Sequence, residues 1–173
     1  RVRQLFSRAL KYNYDPELVD YGIDVNLINP PLEADNKKRV VFLHGTTWST
    51  KHWPEHYWRH LAHIAGEAGY EILIPWGTEK EKLRAQFIAM NNKHAKVLDR
   101  QSLSELAAQI NRSTGVIAVD TGLGHLAAAL SKPTVSLYGP TNPSLSGTFG
   151  HKQLHLNSNL NCAPCVKKVC TYN

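Results

Sequence analysis

The sequence predicts an α/β fold: a single Rossmann-like domain in which a parallel sheet carries helices on both faces. The chain has 173 residues, which suits one α/β domain with a substantial core and is short for two. Hydrophobic residues make up 42% and charged residues 20%, as is ordinary for a globular protein. Short apolar runs alternate with amphipathic stretches along most of the chain, and this alternation is typical of a parallel sheet covered by crossover helices.

The first part of the chain, residues 1–38, predicts a helix followed by an irregular connection. Residues 1–11 have a helical pattern with one apolar face. Residues 12–38 are polar and contain prolines, including NPP at 29–31 and the charged ADNKKR at 34–39. Such a composition indicates a surface connection or a linker. The apolar residues of the helical face are Val2, Leu5, Phe6 and Ala9.

The alternation of elements is clearest between residues 39 and 157, where we expect the domain to lie. The first run, RVVFLHG, is β-branched and ends at glycine, which is typical of a buried strand. A later amphipathic stretch begins at Pro54, a favoured first helical residue, and ends at Gly69. Ser102 and Glu105 have the spacing of a capping box at a helix start. The predicted strands are 39–45, 70–76, 95–98, 115–120 and 133–139 with a last candidate at 152–157, the predicted helices are 54–69, 78–92, 102–113 and 122–131, and a Pro/Gly/Ser-rich loop is predicted from 139 to 150.

Composition limits the possible classes of protein. No apolar run reaches the roughly 18 residues that a membrane-spanning helix needs. The opening RVRQLF has neither an initiator Met nor a signal-peptide pattern, so we expect a fragment of a longer protein. The formal net charge of +6 favours an anionic partner. The basic residues are dispersed, however, and no RRM, KH or zinc-finger pattern occurs, so a nucleic-acid-binding module is the less favoured interpretation.

Three cysteines lie together in the C-terminal segment 158–173, at Cys162, Cys165 and Cys170. An odd number near one end of the chain argues against a disulfide framework. The spacing C-x2-C-x4-C is compatible with a metal site that lacks its fourth ligand, or with reduced thiols beside a loose C-terminus. We favour the reduced thiols and predict no metal site.

Polar residues that suit phosphate binding cluster where the predicted strands end. The first strand is followed by HGTTWSTKHWP at 44–54, and the fourth by DTGLGH at 120–125, where a helix begins. Ligands of such sheets bind beyond the carboxyl ends of the strands, so we expect these residues to converge. Free N–H groups at a helix start favour anions, and a diphosphate is the predicted ligand. The candidate residues are Thr46, Thr47, Lys51, Glu81 with Glu79 beside it, Asp120, Thr121, Gly122 and His125.

Each of these candidates, taken alone, has an ordinary structural explanation. Asp120 is explained as the N-cap of the next helix, and Gly122 as a residue required by its backbone conformation. Glu81 belongs to a first helical turn in any case, and His125 is one of nine histidines. Their shared position at one sheet edge favours the ligand site. The absence of G-x-G-x-x-G and of G-x4-G-K-[ST] disfavours a nicotinamide-binding domain and a P-loop NTPase.

Three stretches of the sequence carry a resemblance to a known family. HGTTWSTKHWPEHYWRHL, ILIPWGTEKEKLRA and AVDTGLGHLAAALSKPTVSLYGPTNP closely resemble the ADP-heptose:lipopolysaccharide heptosyltransferases, and most closely those of type I. The resemblance runs from the first helix to about residue 157, and TT-x3-KHWP together with DTGL-x-HL is specific. It implies a GT-B glycosyltransferase of two Rossmann-like domains, of which this chain is the C-terminal, donor-binding domain. The cysteine segment resembles the tail of some type II members, so type II stays an alternative.

The resemblance assigns roles to matching positions in the first three loops. Thr46 and Thr47 match threonines that touch the donor phosphates. Lys51 matches a lysine beside the diphosphate and the sugar. Glu81 matches the carboxylate that meets the ribose, and Gln101 stands where a relative has a methionine near the adenine.

The match at DTGLGH implies the remaining roles and the reaction. Asp120 corresponds to a residue placed for the sugar hydroxyls, and Thr121, Gly122 and His125 receive the diphosphate-heptose. The implied reaction is inverting transfer of L-glycero-D-manno-heptose from ADP-heptose to Kdo2-lipid A. Negative charge grows on the departing ADP, so the expected catalytic residues are Lys51 and His125.

The resemblance also implies what this sequence lacks. The general base of the family is an aspartate near the start of the N-terminal domain, and no matching segment occurs here, so we expect donor binding without turnover. No cofactor and no nucleic-acid partner are implied. The implied location is cytoplasmic, at the cytoplasmic face of the inner membrane, with peripheral contact to that anionic surface. The alternatives are a type II heptosyltransferase, an epimerase-like nucleotide-sugar enzyme, and the basic nucleic-acid-binding module.

Overall fold

The computed structural model describes residues 2–15, 17–28 and 37–171. The predicted NPP segment and the beginning of ADNKKR lie outside these residues. The described residues form six strands, β1 (Arg39–Leu43), β2 (Glu71–Ile74), β3 (Ala95–Val97), β4 (Gly115–Val119), β5 (Thr134–Tyr138) and β6 (Gln153–Asn157). They also form a 3₁₀ turn (Ser49–Lys51) and the helices α1 (Val2–Leu10), α2 (Val25–Ile28), α3 (Glu55–Glu67), α4 (Glu79–Ala89), α5 (Leu103–Arg112), α6 (Gly122–Ala129) and α7 (Pro143–Ser146).

The six strands form one parallel sheet in the order β3-β2-β1-β4-β5-β6. Val41 of β1 is paired with Leu73 of β2 on one side and with Val116 of β4 on the other. The last strand candidate is confirmed, because β6 pairs with β5. This order is that of the Rossmann fold, in which the direction of strand addition reverses between β1 and β4. The predicted α/β class is therefore confirmed.

Helices cover both faces of the sheet, as predicted. Val41 of β1 points into one core, where it packs with residues of α5 and α6 that include Ile110. Phe42, the next residue, points to the other face and packs with Trp58 of α3 and Ile88 of α4. Burial of each such large side chain stabilises the fold by roughly 1.5–3 kcal/mol. The two cores hold the strands, and hence the loops at their carboxyl ends, in fixed positions.

Local signals set the starts of three helices. Ser102 and Glu105 cap α5 reciprocally, so the predicted capping box is confirmed. Thr78 and Glu81 form a second capping box at α4, which was not predicted although its T-x-x-E spacing carries the same signal. Pro54 is the N-cap of α3, one position before the first helical residue at which it was expected.

The loop predicted from 139 to 150 contains a short helix, α7, and this part of the prediction is wrong. The Asn142 side chain accepts a hydrogen bond from the Ser144 backbone N–H at 2.9 Å. Pro143 lies in the first turn, where its missing N–H costs nothing. An Asn-Pro pair is thus a helix-start signal that the surrounding Pro, Gly and Ser residues concealed.

The helix predicted over residues 1–11 is present as α1, but its apolar face is exposed. Val2, Leu5 and Phe6 are 68%, 67% and 54% exposed, whereas Ser7 is buried. α1 therefore adds little to the two cores. Neither α1 nor any other helix among the described residues is long and apolar enough to cross a membrane.

Candidate functional site

The carboxyl ends of β1, β2 and β4 open into a cavity of about 1040 Å³. It lies where the strand order reverses between β1 and β4, the position at which open α/β sheets bind ligands. Four loops that are distant in sequence contribute to its wall. The wall contains all nine residues predicted to bind the ligand: Thr46, Thr47, Lys51, Glu81, Gln101, Asp120, Thr121, Gly122 and His125.

An ion pair joins two of these loops. Lys51 Nζ lies 2.8 Å from Asp120 Oδ2, and the two side chains are 17% and 8% exposed. The Thr141 hydroxyl donates to the same carboxylate oxygen at 2.6 Å. The Thr46 hydroxyl donates to the backbone carbonyl of Asp120 at 3.1 Å. Lys51 and the 120–125 segment therefore share one pocket.

The N-terminus of α6 faces this pocket without a side-chain cap. Its N-cap residue is Thr121, which has an extended backbone and makes no side-chain capping bond within the described part of the chain. The alternative in which Asp120 caps α6 is wrong, because the Asp120 side chain is bound by Lys51 and Thr141. The first-turn N–H groups of α6 are thus left for an anion beside the Lys51 ammonium.

Gly122 leaves space at the start of α6. Its φ lies outside the left-handed region, so the backbone conformation does not require glycine there and that alternative explanation is wrong. A Cβ at Gly122 would meet no atom within 4 Å among the described residues. A ligand can therefore approach the backbone closely at this point. His125, one turn further along α6, is exposed and lines the same cavity.

Glu81 lies in the first turn of α4, on the side that faces the cavity. Its Oε2 accepts hydrogen bonds from the backbone N–H groups of Gly77 at 2.9 Å and Thr78 at 3.0 Å. The ordinary first-turn role is therefore confirmed, and the residue also lines the cavity. Glu79, the neighbouring carboxylate, is 79% exposed and lies outside the cavity wall.

A basic network at the cavity was missing from the predicted site. Arg84 of α4 lines the cavity and places Nη1 2.7 Å from His52 Nδ1. Its Nε donates to Glu55 Oε1 at 3.0 Å. His52 follows Lys51 directly, so the network fixes the end of the 3₁₀ turn against α4. Arg84 lies three residues after Glu81, on the same helical face, and that spacing is the signal that could have identified it.

Two histidines beside this network are uncharged near pH 7. Burial lowers the pKa of His44 to about 4, and the Arg84 guanidinium adds to the effect. Burial, and then Arg84, also lowers the pKa of His52. His44 Nε2 lies 3.1 Å from the Pro75 carbonyl, which can only accept, so Nε2 carries the proton. The positive charge in this part of the cavity therefore comes from the lysine and arginine side chains of its wall, Lys51, Lys80 and Arg84, and not from these histidines.

Gln101 lies in a more apolar part of the cavity wall, together with Leu103 and Leu106. Its Oε1 is buried and has no hydrogen-bond partner among the described residues. A side-chain amide offers an NH₂ donor group and a carbonyl acceptor. The two leucines can pack against the face of a planar base, and the amide can form hydrogen bonds with its edge.

The C-terminal cysteines are free thiols: Cys162, Cys165 and Cys170. In the described ranges, no group of three or more His, Cys, Asp or Glu side chains could hold a metal ion. The expectation of a loose C-terminus is wrong for the described residues around Lys167 and Lys168. The backbone carbonyls of Lys167 and Lys168 accept hydrogen bonds from the turn that carries Lys51.

The fold and the cavity define a class of protein: a Rossmann-like domain with a cavity at the switch point of its sheet, where a lysine lies beside a helix N-terminus. Residues 1–173 match glycosyltransferase family 9 (heptosyltransferase) over their whole length. The chain belongs to this family.

Relatives with known names agree with this assignment. Lipopolysaccharide heptosyltransferase 1 of Pseudomonas aeruginosa is 50% identical over 173 residues, which are 99% of this chain and 48% of that protein. E. coli heptosyltransferase WaaC, solved with ADP, has a TM-score of 0.82 and 39% identity over 90% of this chain and 48% of that one. E. coli ADP-heptose lps heptosyltransferase II has a TM-score of 0.65 and 25% identity over 71% of this chain and 39% of that one. The chain spans about half the length of the curated relatives it matches.

Proposed function

We propose that this chain is the donor-binding half of a type I lipopolysaccharide heptosyltransferase. The whole protein would transfer L-glycero-D-manno-heptose from ADP-heptose to Kdo2-lipid A with inversion. The observation that carries the proposal is the Lys51–Asp120 pair, 2.8 Å apart, beside the uncapped start of α6. The similarity to WaaC, which was solved with ADP, supports a nucleoside diphosphate as the ligand.

In this proposal the diphosphate lies against the first turn of α6. Thr121 and Gly122 present the helix start, whose dipole stabilises an anion by about 0.3–2 kcal/mol. Lys51 supplies a positive charge, and each charge-assisted hydrogen bond contributes roughly 1.5–3 kcal/mol. The other phosphate-facing groups are Thr46, Thr47 and His125.

The nucleoside then occupies the part of the cavity lined by Gln101. The leucines beside this residue, Leu103 and Leu106, supply an apolar surface for adenine. Glu81 lies between that region and the diphosphate site, and its carboxylate is proposed to meet the ribose. A partly apolar pocket with a few polar groups is typical of a cofactor or nucleotide site.

The proposed chemistry depends on charge that develops on the leaving group. Breaking the anomeric C–O bond gives an oxocarbenium-like sugar and places negative charge on ADP. Lys51 and His125 stabilise that charge, and Asp120 orients the sugar hydroxyls. Groups that bind the departing phosphate more strongly than the intact donor lower the barrier.

Transfer also needs a general base for the acceptor hydroxyl. Of the carboxylates in the described cavity wall, Asp120 is paired with Lys51 and Glu81 caps α4. We therefore place the base in another part of the protein, and propose that this chain binds the donor without turning it over.

The same proposal covers organisation and location. Residues 39–157 form the nucleotide-sugar-binding domain, residues 1–38 connect it to an N-terminal domain, and residues 158–173 form a tail. The acceptor is an anionic lipid, so the whole protein works in the cytoplasm, in peripheral contact with the inner membrane. The net charge of +6 favours such a surface.

Type I is favoured over type II because the identity to the Pseudomonas relative is twice that to the type II structure.

Calorimetry with ADP and UDP tests the proposal. The chain is expected to bind ADP and to prefer it to UDP. Lys51→Ala should weaken ADP binding about tenfold or more, because it removes a charge-assisted bond. Lys93→Ala is the control, since Lys93 is exposed and lies outside the cavity wall. A folded wild-type chain that binds no ADP would overturn the proposal.

A further inference from the structure

The C-terminal tail contacts the turn that carries Lys51. Ser49 Oγ donates to the Lys168 carbonyl at 2.9 Å, and Thr50 Oγ1 donates to the Lys167 carbonyl at 2.6 Å. Both hydroxyls belong to the 3₁₀ turn that ends at Lys51. Two consecutive carbonyls of the tail are therefore bound by two consecutive residues of this turn.

The indole ring of Trp48 adds a second contact between the same segments. Lys51 Nζ lies 4.6 Å from the ring centroid, and Lys168 Nζ lies 5.5 Å from it. Cation–π attraction holds each ammonium against the ring. Trp48 is the residue before the turn and Lys51 is its last residue, so the same indole ring lies against an ammonium of the tail and against that of Lys51.

The tail adopts a strained backbone where it meets these contacts. Val166 has a φ of +54°, which is rare for a β-branched residue. Its N–H donates to the Pro140 carbonyl, in the loop after β5, at 2.7 Å. Backbone strain of this kind persists only where the surroundings over-determine the conformation, and it clusters at functional sites.

We propose that the segment Val166–Lys168 is a positioning element of the donor site. The segment is hydrogen-bonded to Pro140 of the loop after β5 and to the 3₁₀ turn. These contacts keep Lys51 beside Asp120 and the start of α6. The inference rests on the proposed function in one respect: ADP is used as the test ligand because the proposed function names it as the ligand of this site. The effect of the segment on the position of Lys51 is independent of any ligand.

Thr50 offers the cleanest variant. Thr50→Val removes the hydroxyl bond to Lys167 and nearly preserves the shape of the side chain, and Thr50 does not line the cavity. Thr50→Ser keeps the hydroxyl. Thr134→Val is the matched control, because Thr134 Oγ1 donates to the Lys132 carbonyl at 3.0 Å, at the end of β5 opposite the cavity.

Two measurements decide the proposal: backbone amide chemical shifts without ligand, and ADP affinity by calorimetry. Thr50→Val is expected to shift the amides of Lys51 and Gly122 and to weaken ADP binding about fivefold. Thr50→Ser should restore both properties, and Thr134→Val should alter neither. Unchanged Lys51 and Gly122 amides in Thr50→Val would overturn the proposal.

A further variant distinguishes the effect of the tail on the position of Lys51 from the effect of the positive charge on Lys168. Lys168→Gln removes the ammonium and keeps the carbonyl that Ser49 binds, so it should weaken ADP binding less than Thr50→Val. The reverse order would mean that the tail acts only through its charge, and would overturn the positioning role. If the wild-type chain bound no ADP, the proposed function would fall, and the amide shifts would still decide the inference.

Discussion

At the scale of single residues, the cavity is controlled by the charge balance around Lys51. Asp120 holds its ammonium at 2.8 Å, and Arg84 of the same cavity wall is bound to Glu55 at 3.0 Å. Under the proposed function, a diphosphate in the cavity competes with Asp120 for Lys51. The catalytic role proposed for Lys51 requires that its ammonium leave Asp120 for the departing phosphate in the transition state.

Asp120→Asn tests this competition. The substitution removes a negative charge beside the phosphate site and frees Lys51, so ADP should bind about three- to tenfold more tightly. Asp99→Asn is the control, because Asp99 is exposed and lies outside the cavity wall. Calorimetry measures both. Weaker ADP binding by Asp120→Asn would show that the carboxylate aids the diphosphate site instead of competing with it.

His44 makes the stability of the chain dependent on pH. Its folded-state pKa, about 4, lies below the ordinary value of about 6.5, so the unfolded chain binds this proton more tightly. The free energy of unfolding should therefore fall as the pH drops below about 6.5, by about 2 kcal/mol between pH 7 and pH 5 from this residue alone. Urea unfolding of wild type and His44→Gln at both pH values measures the difference.

The control for that experiment is His151→Gln, since His151 is exposed. Its pH dependence should match that of the wild type. His44→Gln should lose less stability on acidification than either protein. Parallel pH profiles for all three would refute the role assigned to the buried imidazole.

At the scale of elements, α4 and α5 begin with the same capping box in different surroundings. Thr78 and Glu81 cap α4, and Ser102 and Glu105 cap α5. Each box satisfies N–H groups that the helix itself leaves unpaired. Of the two glutamates, only Glu81 lines the cavity. A comparison of variants at the two positions therefore distinguishes the capping role from a role in ligand binding.

Glu81→Ala and Glu105→Ala should lower the free energy of unfolding to a similar, modest extent, because each removes one half of a capping box. Only Glu81→Ala is expected to weaken ADP binding as well, about three- to tenfold, through the lost contact with the ribose. Urea unfolding and calorimetry give the two quantities. Equal ADP affinities would restrict Glu81 to its capping role.

At the scale of the whole molecule, the sheet decides where chemistry can occur. The reversal of strand order between β1 and β4 opens the cavity, and the two cores on opposite faces fix its walls. The cavity brings cationic side chains together with the free N–H groups at the start of α6. Its carboxylates, Asp120 and Glu81, are already engaged.

The chain alone is therefore expected to bind ADP-heptose and to transfer no heptose to Kdo2-lipid A above the uncatalysed background. A transfer assay with the full-length Pseudomonas relative as positive control measures this. Transfer by the chain itself would contradict the expectation and would assign the general base to Asp120 or Glu81.

Much of the fold could be predicted because its signals are local. The Ser102–Glu105 box, the glycine-bounded apolar runs and the helix after Asp120 each depend on residues a few positions apart. Convergence of Lys51 with Asp120 was also predictable, since the carboxyl ends of parallel strands meet at one edge of the sheet. Arg84 was missed because it lies in the interior of a helix, where an arginine usually faces solvent.

The sequence by itself determined the alternation of strands and helices, the capped helix starts and the set of polar residues at one sheet edge. Only the tertiary structure decided the strand order, the pairing of Lys51 with Asp120 and the bond from Thr50 to Lys167 of the tail. The physical reason is range: capping and periodicity act within one or two helical turns. An ion pair or a hydrogen bond between distant segments exists only once the packed sheet has brought their loops together.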